Sequence, residues 1–435
     1  MDKISIFQTQ ISLYRGLQQV LVAQGKTDEA LEVAEAGRAR AFVDLLAERL
    51  TSPSNIDIQP TITLAEIKQI AKEQNATLVE YSLIYDDFGF QSKQPEKLQA
   101  LELYIWVINP TGDITFRRQP LQLEPGNIPG PLYTSLKDLL KYTYKRMRGD
   151  GNETVLSPQS NLRLQQLYHL LIEPIAALLP TEPKQRVIFI PQNELFLVPF
   201  PSLLDKNGKY LIEKHTIITA PAIQVLQLTH QQQQRVSESA KNVLVVGNPS
   251  PMPSQLSALP NSEQEAINIA QIYNNQPLLG ETATKAAILP QLERASLIHL
   301  ATHGMVNEKK PLESAIAFAP SDGDNGLLTA EEIFHLKLSA ELVVLSACNT
   351  GRGTITGDGV VGLSRSLISA GVPSVIVSLW SVYDDSTAFL MTEFYRNLHQ
   401  LKLDKAQALR TAILTTMQNY ANPKNWAAFI LIGEA

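Results

Sequence analysis

An α/β fold, with a mostly parallel sheet and helices on both of its faces, is what the 435 residues of this chain predict. Short, nearly unbroken apolar runs recur at residues 187–190, 243–246, 297–301, 342–345 and 374–379, and runs of that kind belong to strands buried on both faces. Segments of helical periodicity stand between them. Strand and helix therefore alternate, the order that builds parallel sheets through crossover helices. A third observation locates the functional edge: the run 342–345 delivers the only cysteine, Cys348, to its carboxyl end, where a loop with Gly351, Gly353, Gly357 and Gly359 follows. In open α/β sheets ligands bind at that edge.

From the amino end, residues 4–50 predict two helices broken at Gln24-Gly25-Lys26. Thr27 stands in the cap position of the second, and Ala30, Leu31, Ala34, Ala41, Leu45 and Leu46 form its apolar stripe. Tyr14, Leu17, Leu21, Gly25, Ala30 and Ala34 fit one tetratricopeptide-like (TPR-like) unit loosely. One such unit cannot bury its own faces and about three make a stable stack, so either this pair packs on the rest of the chain or the chain is a piece of a longer repeat protein. Residues 51–60 have linker composition, 64–74 predict a helix and 77–85 the first strand; 101–108 and 113–117 flank Asn109-Pro110-Thr111-Gly112 as a hairpin. Helices are expected at 132–147 and 161–179, the second interrupted or bent at Pro174, and strands at 187–190 and 211–219.

The polar run HQQQQRVSESA at 230–240 marks an internal boundary. Beyond it come a strand at 243–247 and a helix opening on the capping-box pair Ser262 and Glu265, with Ala266, Ile269, Ala270 and Tyr273 on one face. A helix near 284–292, the strand 297–301, a long connection over 305–326, a short helix capped by Thr329 with Glu332, and the cysteine strand follow. A helix at 358–370, a strand at 374–379, two helices over 385–420 and a last strand at 427–432 complete the count. The expected domains are a helical segment over 1–55, an α/β region over 61–235 and a second α/β region over 241–435.

With 43 acidic against 37 basic side chains the formal charge is −6, which implies no general affinity for nucleic acid or anionic membranes. One cysteine rules out an internal disulfide. The opening MDKISIFQTQ lacks a basic-then-apolar leader pattern and no apolar run approaches 18 residues, so the expected compartment is the cytoplasm.

The chemistry rests on two strand ends. The strand 297–301 runs into Thr302-His303-Gly304, which puts His303 on the same sheet edge as Cys348, 45 residues downstream. That interval is close to the roughly 50 residues that separate histidine from cysteine in caspase-type peptidases. A thiol needs a neighbouring imidazole to become a thiolate and to protonate the leaving amine. The plainer alternative is a buried, inert thiol beside a satisfied histidine. Other motifs fail: Thr356 takes the third glycine position of a dinucleotide fingerprint that begins at Gly351, and His299 and His303 have zinc-helix spacing but sit on a strand, with Leu300 where a metalloprotease places its glutamate. Gly362-Leu363-Ser364-Arg365-Ser366 ends in serine, so it is no nucleophile elbow. His299 would share a face with His303, with a structural role expected, and Asp358 reads as a helix cap.

LIHLATHG at 297–304, SACNTG at 346–351, GDGVVGL at 357–363, AGVP at 370–373, SLWSVYDDST at 378–387 and WAAFILIG at 426–433 together resemble the CHAT family. VIFIPQNELFLVPFPSL at 187–203 extends the resemblance, which covers roughly residues 75–435. It implies a caspase-like fold preceded by a degenerate, pseudo-peptidase half and a TPR-like hairpin. It implies a cysteine endopeptidase with Cys348 as nucleophile, His303 as general base and acid, and the backbone N–H groups of Gly304 and Cys348 as oxyanion donors. By the same resemblance, Asp384, four residues after Trp380, would line the pocket for the residue before the cut and favour arginine or lysine, with Asp385 as the competing position and a helix cap as the rival role. No cofactor or metal is expected. The expected partners are a protein or peptide substrate and, through the N-terminal helices, a further protein. The alternative function is a catalytically silent interaction module.

Overall fold

The computed structural model describes residues 3–50, 62–85, 100–121, 135–147, 158–236, 242–253, 256–307, 310–321, 323–346, 357–380 and 384–435. The chain divides into two compact units, the first taking residues 1–143, 157–195 and 203–228, the second 144–156, 196–202 and 229–435. Among the described residues no helix is long and apolar enough to cross a membrane.

The first unit opens with α1 (Lys3–Ala23) and α2 (Thr27–Leu50), joined through Gly25, whose φ of 75° requires a glycine-tolerant position. The two helices cross closely at Gly37, where an added Cβ would stand 2.9 Å from Tyr14 Cβ. α3 (Leu64–Gln74) starts on a Thr63–Glu66 capping box and ends on Asn75 in the left-handed region. The sheet of this unit comprises β1 (Ala76–Tyr85), β2 (Ala100–Ile108), β3 (Ile114–Pro120), β4 (Arg186–Ile190) and β5 (Thr216–Thr219), ordered β3-β2-β1-β4-β5. β1, β2 and β3 are antiparallel neighbours, whereas β4 runs parallel to both β1 and β5. The remaining helices are α4 (Leu136–Met147), α5 (Pro158–Leu171), α6 (Leu211–Lys214) and α7 (Ile223–Val236).

One local expectation is corrected here and another is decided. Residues 211–219 are not one strand: Glu213 turns back to accept from the Tyr210 N–H at 2.7 Å, closing α6, and β5 begins only at Thr216. At Pro174, of the two alternatives, the helix is interrupted and not bent. α5 stops at Leu171 and the proline opens a separate short 3-10 helix over Glu173–Leu178, where its missing N–H costs nothing.

The N-terminal helix pair is built into the first unit. Arg38 donates to the Pro191 carbonyl at 2.8 Å and lies 3.2 Å from Glu80 on β1, while Glu35 accepts from the Gln224 N–H at 3.1 Å. Trp106 Nε1 donates to the Thr27 carbonyl, and Ser82 Oγ to Gln18 Oε1. Ala30, Leu31 and Ala34 of the expected stripe are buried, whereas Ala41, Leu45 and Leu46 have side chains outside the described set.

In the second unit the main elements in order are β6 (Val243–Pro249), α8 (Pro260–Ile272), β7 (Leu278–Gly280), α9 (Lys285–Leu292) and β8 (Leu297–Ala301). A small antiparallel sheet of β9 (Gly304–Met305), β10 (Ala315–Ala317) and β11 (Leu327–Thr329) follows, within what reads in sequence as a plain connection. Then come α10 (Ala330–His335), β12 (Leu342–Ser346), α11 (Gly357–Ser369), β13 (Ser374–Ser378), α12 (Asp384–His399), α13 (Lys405–Asn419) and β14 (Phe429–Gly433). The sheet order is β14-β13-β12-β8-β6-β7, parallel from β13 to β7, with β14 antiparallel to β13. Every residue of β8, β12 and β13 is buried, as continuous apolar strands in a helix-covered parallel sheet require. α8 approaches β6 so closely at Gly247 that a Cβ there would lie 2.5 Å from both Ala266 Cβ and the Ser262 carbonyl.

Candidate active site

Parallel pairing fixes which residues leave the sheet together. Ala301 at the end of β8 is in register with Ser346 at the end of β12, and the Thr302 N–H donates to the Ser346 carbonyl at 3.2 Å, one step past the ladder. His303 follows Ala301 by two residues, as Cys348 follows Ser346. Cys348 lies outside the described residues. Its tether is short: two residues span at most about 7 Å.

His303 is 1% exposed. Its Nε2 stands 2.7 Å from the Ser257 carbonyl on the segment leading into α8. A carbonyl can only accept, so Nε2 carries the hydrogen and the neutral ring keeps its lone pair on Nδ1. Nδ1 is buried and has no hydrogen-bond partner among the described residues. The ring is therefore oriented through one nitrogen, and none of those residues engages its basic nitrogen.

Gly304 pairs with Ile316 across β9 and β10, flanked by a bond from the Ala317 N–H to the His303 carbonyl at 2.9 Å. That flanking bond makes Gly304–Ile316 a non-hydrogen-bonded pair, so the Gly304 N–H points away from β10, along the open edge of the small sheet. Thr302 Oγ1 donates to the Ala317 carbonyl at 2.6 Å and ties this edge to the end of β8. Ser346 Oγ and Ser378 Oγ, at the ends of β12 and β13, are buried without hydrogen-bond partners.

Asp384 is the first residue of α12, and its side chain lies outside the described set. β13, which leads toward it, is parallel to β12, so the two strands end on one edge. Asp385 accepts from Asn261 Nδ2 at 3.1 Å, which commits one of its oxygens to the first turn of α8. Trp380 is fully buried and donates from Nε1 to the Lys424 carbonyl at 3.0 Å, a packing role.

His299 does not join the site. On β8 it is fully buried, shares a hydrogen bond between Nδ1 and the Tyr395 hydroxyl at 3.1 Å, and has Nε2 2.9 Å from Glu265 Oε1. Glu265 is accordingly not the capping-box residue its spacing from Ser262 suggests. α8 begins at Pro260 on an uncapped Leu259, and Ser262 Oγ instead accepts from the Asn248 N–H at 3.0 Å and donates to the Leu259 carbonyl at 2.7 Å. Thr329 with Glu332 does form its box. Asp358 has a side chain outside the described residues, and among the described residues no cluster of three His, Cys, Asp or Glu could hold a metal.

Two contributors have no signature in the sequence. Ser257 acts through a carbonyl that every residue possesses, and Tyr395 stands 96 residues from the histidine it meets. A strand-end histidine beside a strand-end cysteine segment, on a mostly parallel sheet with helices on both faces, defines a caspase-like α/β fold. The CHAT domain pattern matches residues 162–434, more than half of the chain, and the chain belongs to that family. It is 27% identical to human and mouse Tetratricopeptide repeat protein 28 across 99% of its own length, while spanning 22% of theirs. Its fold is similar to that of a Saccharomyces cerevisiae separase–securin crystal structure, with a TM-score of 0.53 and 12% identity over 95% of this chain and 34% of that one.

Proposed function

We propose that the chain is a cysteine endopeptidase working through Cys348 and His303. In the first step Cys348 Sγ gives its proton to His303 Nδ1 and the thiolate attacks the scissile carbonyl. The Gly304 and Cys348 N–H groups receive the oxyanion, and loss of one such donor costs about 3 kcal/mol of transition-state stabilisation. Collapse of the tetrahedral intermediate breaks the C–N bond, and the imidazolium protonates the leaving amine. Water, deprotonated by the same nitrogen, then attacks the thioester and releases the acid and the thiol. The observation that carries this reading is His303 itself, held by Ser257 through Nε2, with a buried Nδ1 that has no partner among the described residues, at the edge where the Cys348 segment leaves β12.

Asp384 is proposed as the carboxylate that selects arginine or lysine before the cut through a charge-assisted hydrogen bond. The domain reading is carried forward alongside it: a TPR-like segment over 1–55, a pseudo-peptidase region over 61–235 and a catalytic region over 241–435. The test is a peptide electrophile that resembles a cut substrate. It should label the wild type and not Cys348→Ala, and that variant should cleave nothing. Undiminished cleavage by Cys348→Ala would sink the mechanism.

One observation favours a second reading, a protein-interaction module. Leu13, Leu17 and Val20 recur at helical spacing on α1 and are 61%, 47% and 51% exposed, an apolar stripe suited to a partner helix. The relatives named for tetratricopeptide repeats, and the separase solved together with securin, are in keeping with a protein partner. If neither the wild type nor Cys348→Ala is labelled and neither cleaves any peptide, this reading stands alone.

A further inference from the structure

We propose that Glu265, His299 and Tyr395 form a buried clamp that positions α8 against β8, and so holds the Ser257 carbonyl on His303. The proposal rests on the peptidase reading for its kinetic consequence, but not for its geometry. The three side chains come from three elements, α8, β8 and α12, and none is more than 2% exposed. His299 Nδ1 is hydrogen-bonded to the Tyr395 hydroxyl at 3.1 Å, and Nε2 of the same ring stands 2.9 Å from Glu265 Oε1, an ion-pair distance. Burial first, then the neighbouring Tyr273 and Glu265, push the Tyr395 hydroxyl well above the ordinary tyrosine range, so it stays protonated and can donate. Tyr273 packs edge-on against Tyr395 at 5.9 Å and fixes the ring from the far side.

A polar cluster of this kind is costly to bury and adds nothing that an apolar core would not supply. What it supplies is direction. Two polar contacts join α8 and the segment before it to β8 and the residues after it: Glu265 to His299 in the middle of the strand, and the Ser257 carbonyl to His303 Nε2 beyond its end. The segment that presents Ser257 is continuous with α8 and is tied to it by Ser262 Oγ on the Leu259 carbonyl and by Asn248 Oδ1 on the Leu259 N–H at 3.0 Å. A shift of α8 along β8 therefore moves the acceptor that decides which nitrogen of His303 carries the hydrogen. Glu265, His299 and Tyr395 never touch substrate in this account; they are positioning residues.

The test uses the full chain with Glu265→Leu and Tyr395→Phe, which remove the grip while filling the same volume, and Glu265→Gln, which keeps an acceptor oxygen. The direct readout is the 15N shifts of His303 in histidine-labelled Cys348→Ala protein, assigned with His303→Gln. The intact clamp should show a protonated Nε2 and an unprotonated Nδ1, and Glu265→Leu or Tyr395→Phe should bring in averaging between the two tautomers. In the chain with its cysteine, kcat should fall between about tenfold and a hundredfold with KM within about twofold, since small misplacements of a catalytic group cost that much. Glu265→Gln should restore most of the rate. If either apolar variant folds and leaves both the 15N shifts and kcat unchanged, the clamp is overturned. A wild type that cleaves nothing would defeat the peptidase reading alone, because the nitrogen shifts still decide the clamp.

Discussion

His303 owes its orientation to a contact made by a backbone oxygen, and this separates what was legible in the residues from what was not. The run 297–301 ends two residues before His303 and the run 342–345 three residues before Cys348, so the two could be read as neighbours from apolar runs alone. The Ser257 carbonyl could not, since hydrogen bonding by the main chain carries no identity. It follows that Ser257→Ala should leave kcat/KM within about twofold, whereas His303→Ala should lower it by about a hundredfold to ten-thousandfold, the usual worth of a positioned general base. His299→Ala should fall between them. Steady-state kinetics on one fluorogenic peptide ranks the three, and a His299→Ala loss equal to that of His303→Ala would mean that the base is misassigned. The carboxylate pair divides in the same way: Asp385 already accepts from Asn261, so profiling a peptide library should show the arginine or lysine preference weakened by Asp384→Ala and kept by Asp385→Ala.

At the scale of elements, α8 is where sequence and structure part most instructively. Ser262 and Glu265 have the spacing and identity of a capping box, but Pro260 opens the helix two residues earlier, which turns Ser262 toward Asn248 and frees Glu265 to face His299. The same local signature held at Thr329 and Glu332, where no proline precedes it. The strands β9 to β11 escaped notice for a different reason, because two or three residues cannot display a period. They nonetheless set the direction of the Gly304 N–H. Helix α8 also depends on Gly247, whose replacement by alanine would force a Cβ to 2.5 Å from Ala266 Cβ and the Ser262 carbonyl. Overpacking of that kind typically costs about 1–3 kcal/mol. Denaturant unfolding should show that loss for Gly247→Ala, and a smaller one of about 1 kcal/mol for the cap variant Thr329→Ala. A Gly247→Ala protein as stable as the wild type would mean that α8 can lift from β6 at no cost.

For the molecule as a whole, stability is tied to a buried charge cluster in the first unit that no sequence pattern announces, because its members lie on α2 and β1. Arg38 stands 3.7 Å from Glu35 and 3.2 Å from Glu80, with all three side chains buried, so one guanidinium faces two carboxyl groups. Burial first, and then the nearby Glu35, raise the Glu80 carboxyl well above the ordinary carboxylate range, which favours its protonated form. The sign of the pH dependence follows. An unfolded chain releases the Glu80 proton above about pH 4.3, while the native protein retains it, so this group lowers stability as pH rises from there toward its folded value and has no effect below it. Glu80→Gln should therefore match the wild type near pH 4 and exceed it progressively toward neutrality. Glu35→Gln takes a carboxyl partner from the buried Arg38, and breaking a buried pair in this way typically costs about 3–5 kcal/mol. Urea unfolding across that pH range distinguishes the two. Equal losses for Glu35→Gln and Glu80→Gln at neutral pH would mean that Glu80 is ionised in the native protein. The helix pair also predicts that a chain beginning after residue 60 is less stable than the full chain in urea unfolding, since Glu80 would lose its contact with Arg38, and the Pro191 carbonyl and the Gln224 N–H would lose their partners Arg38 and Glu35.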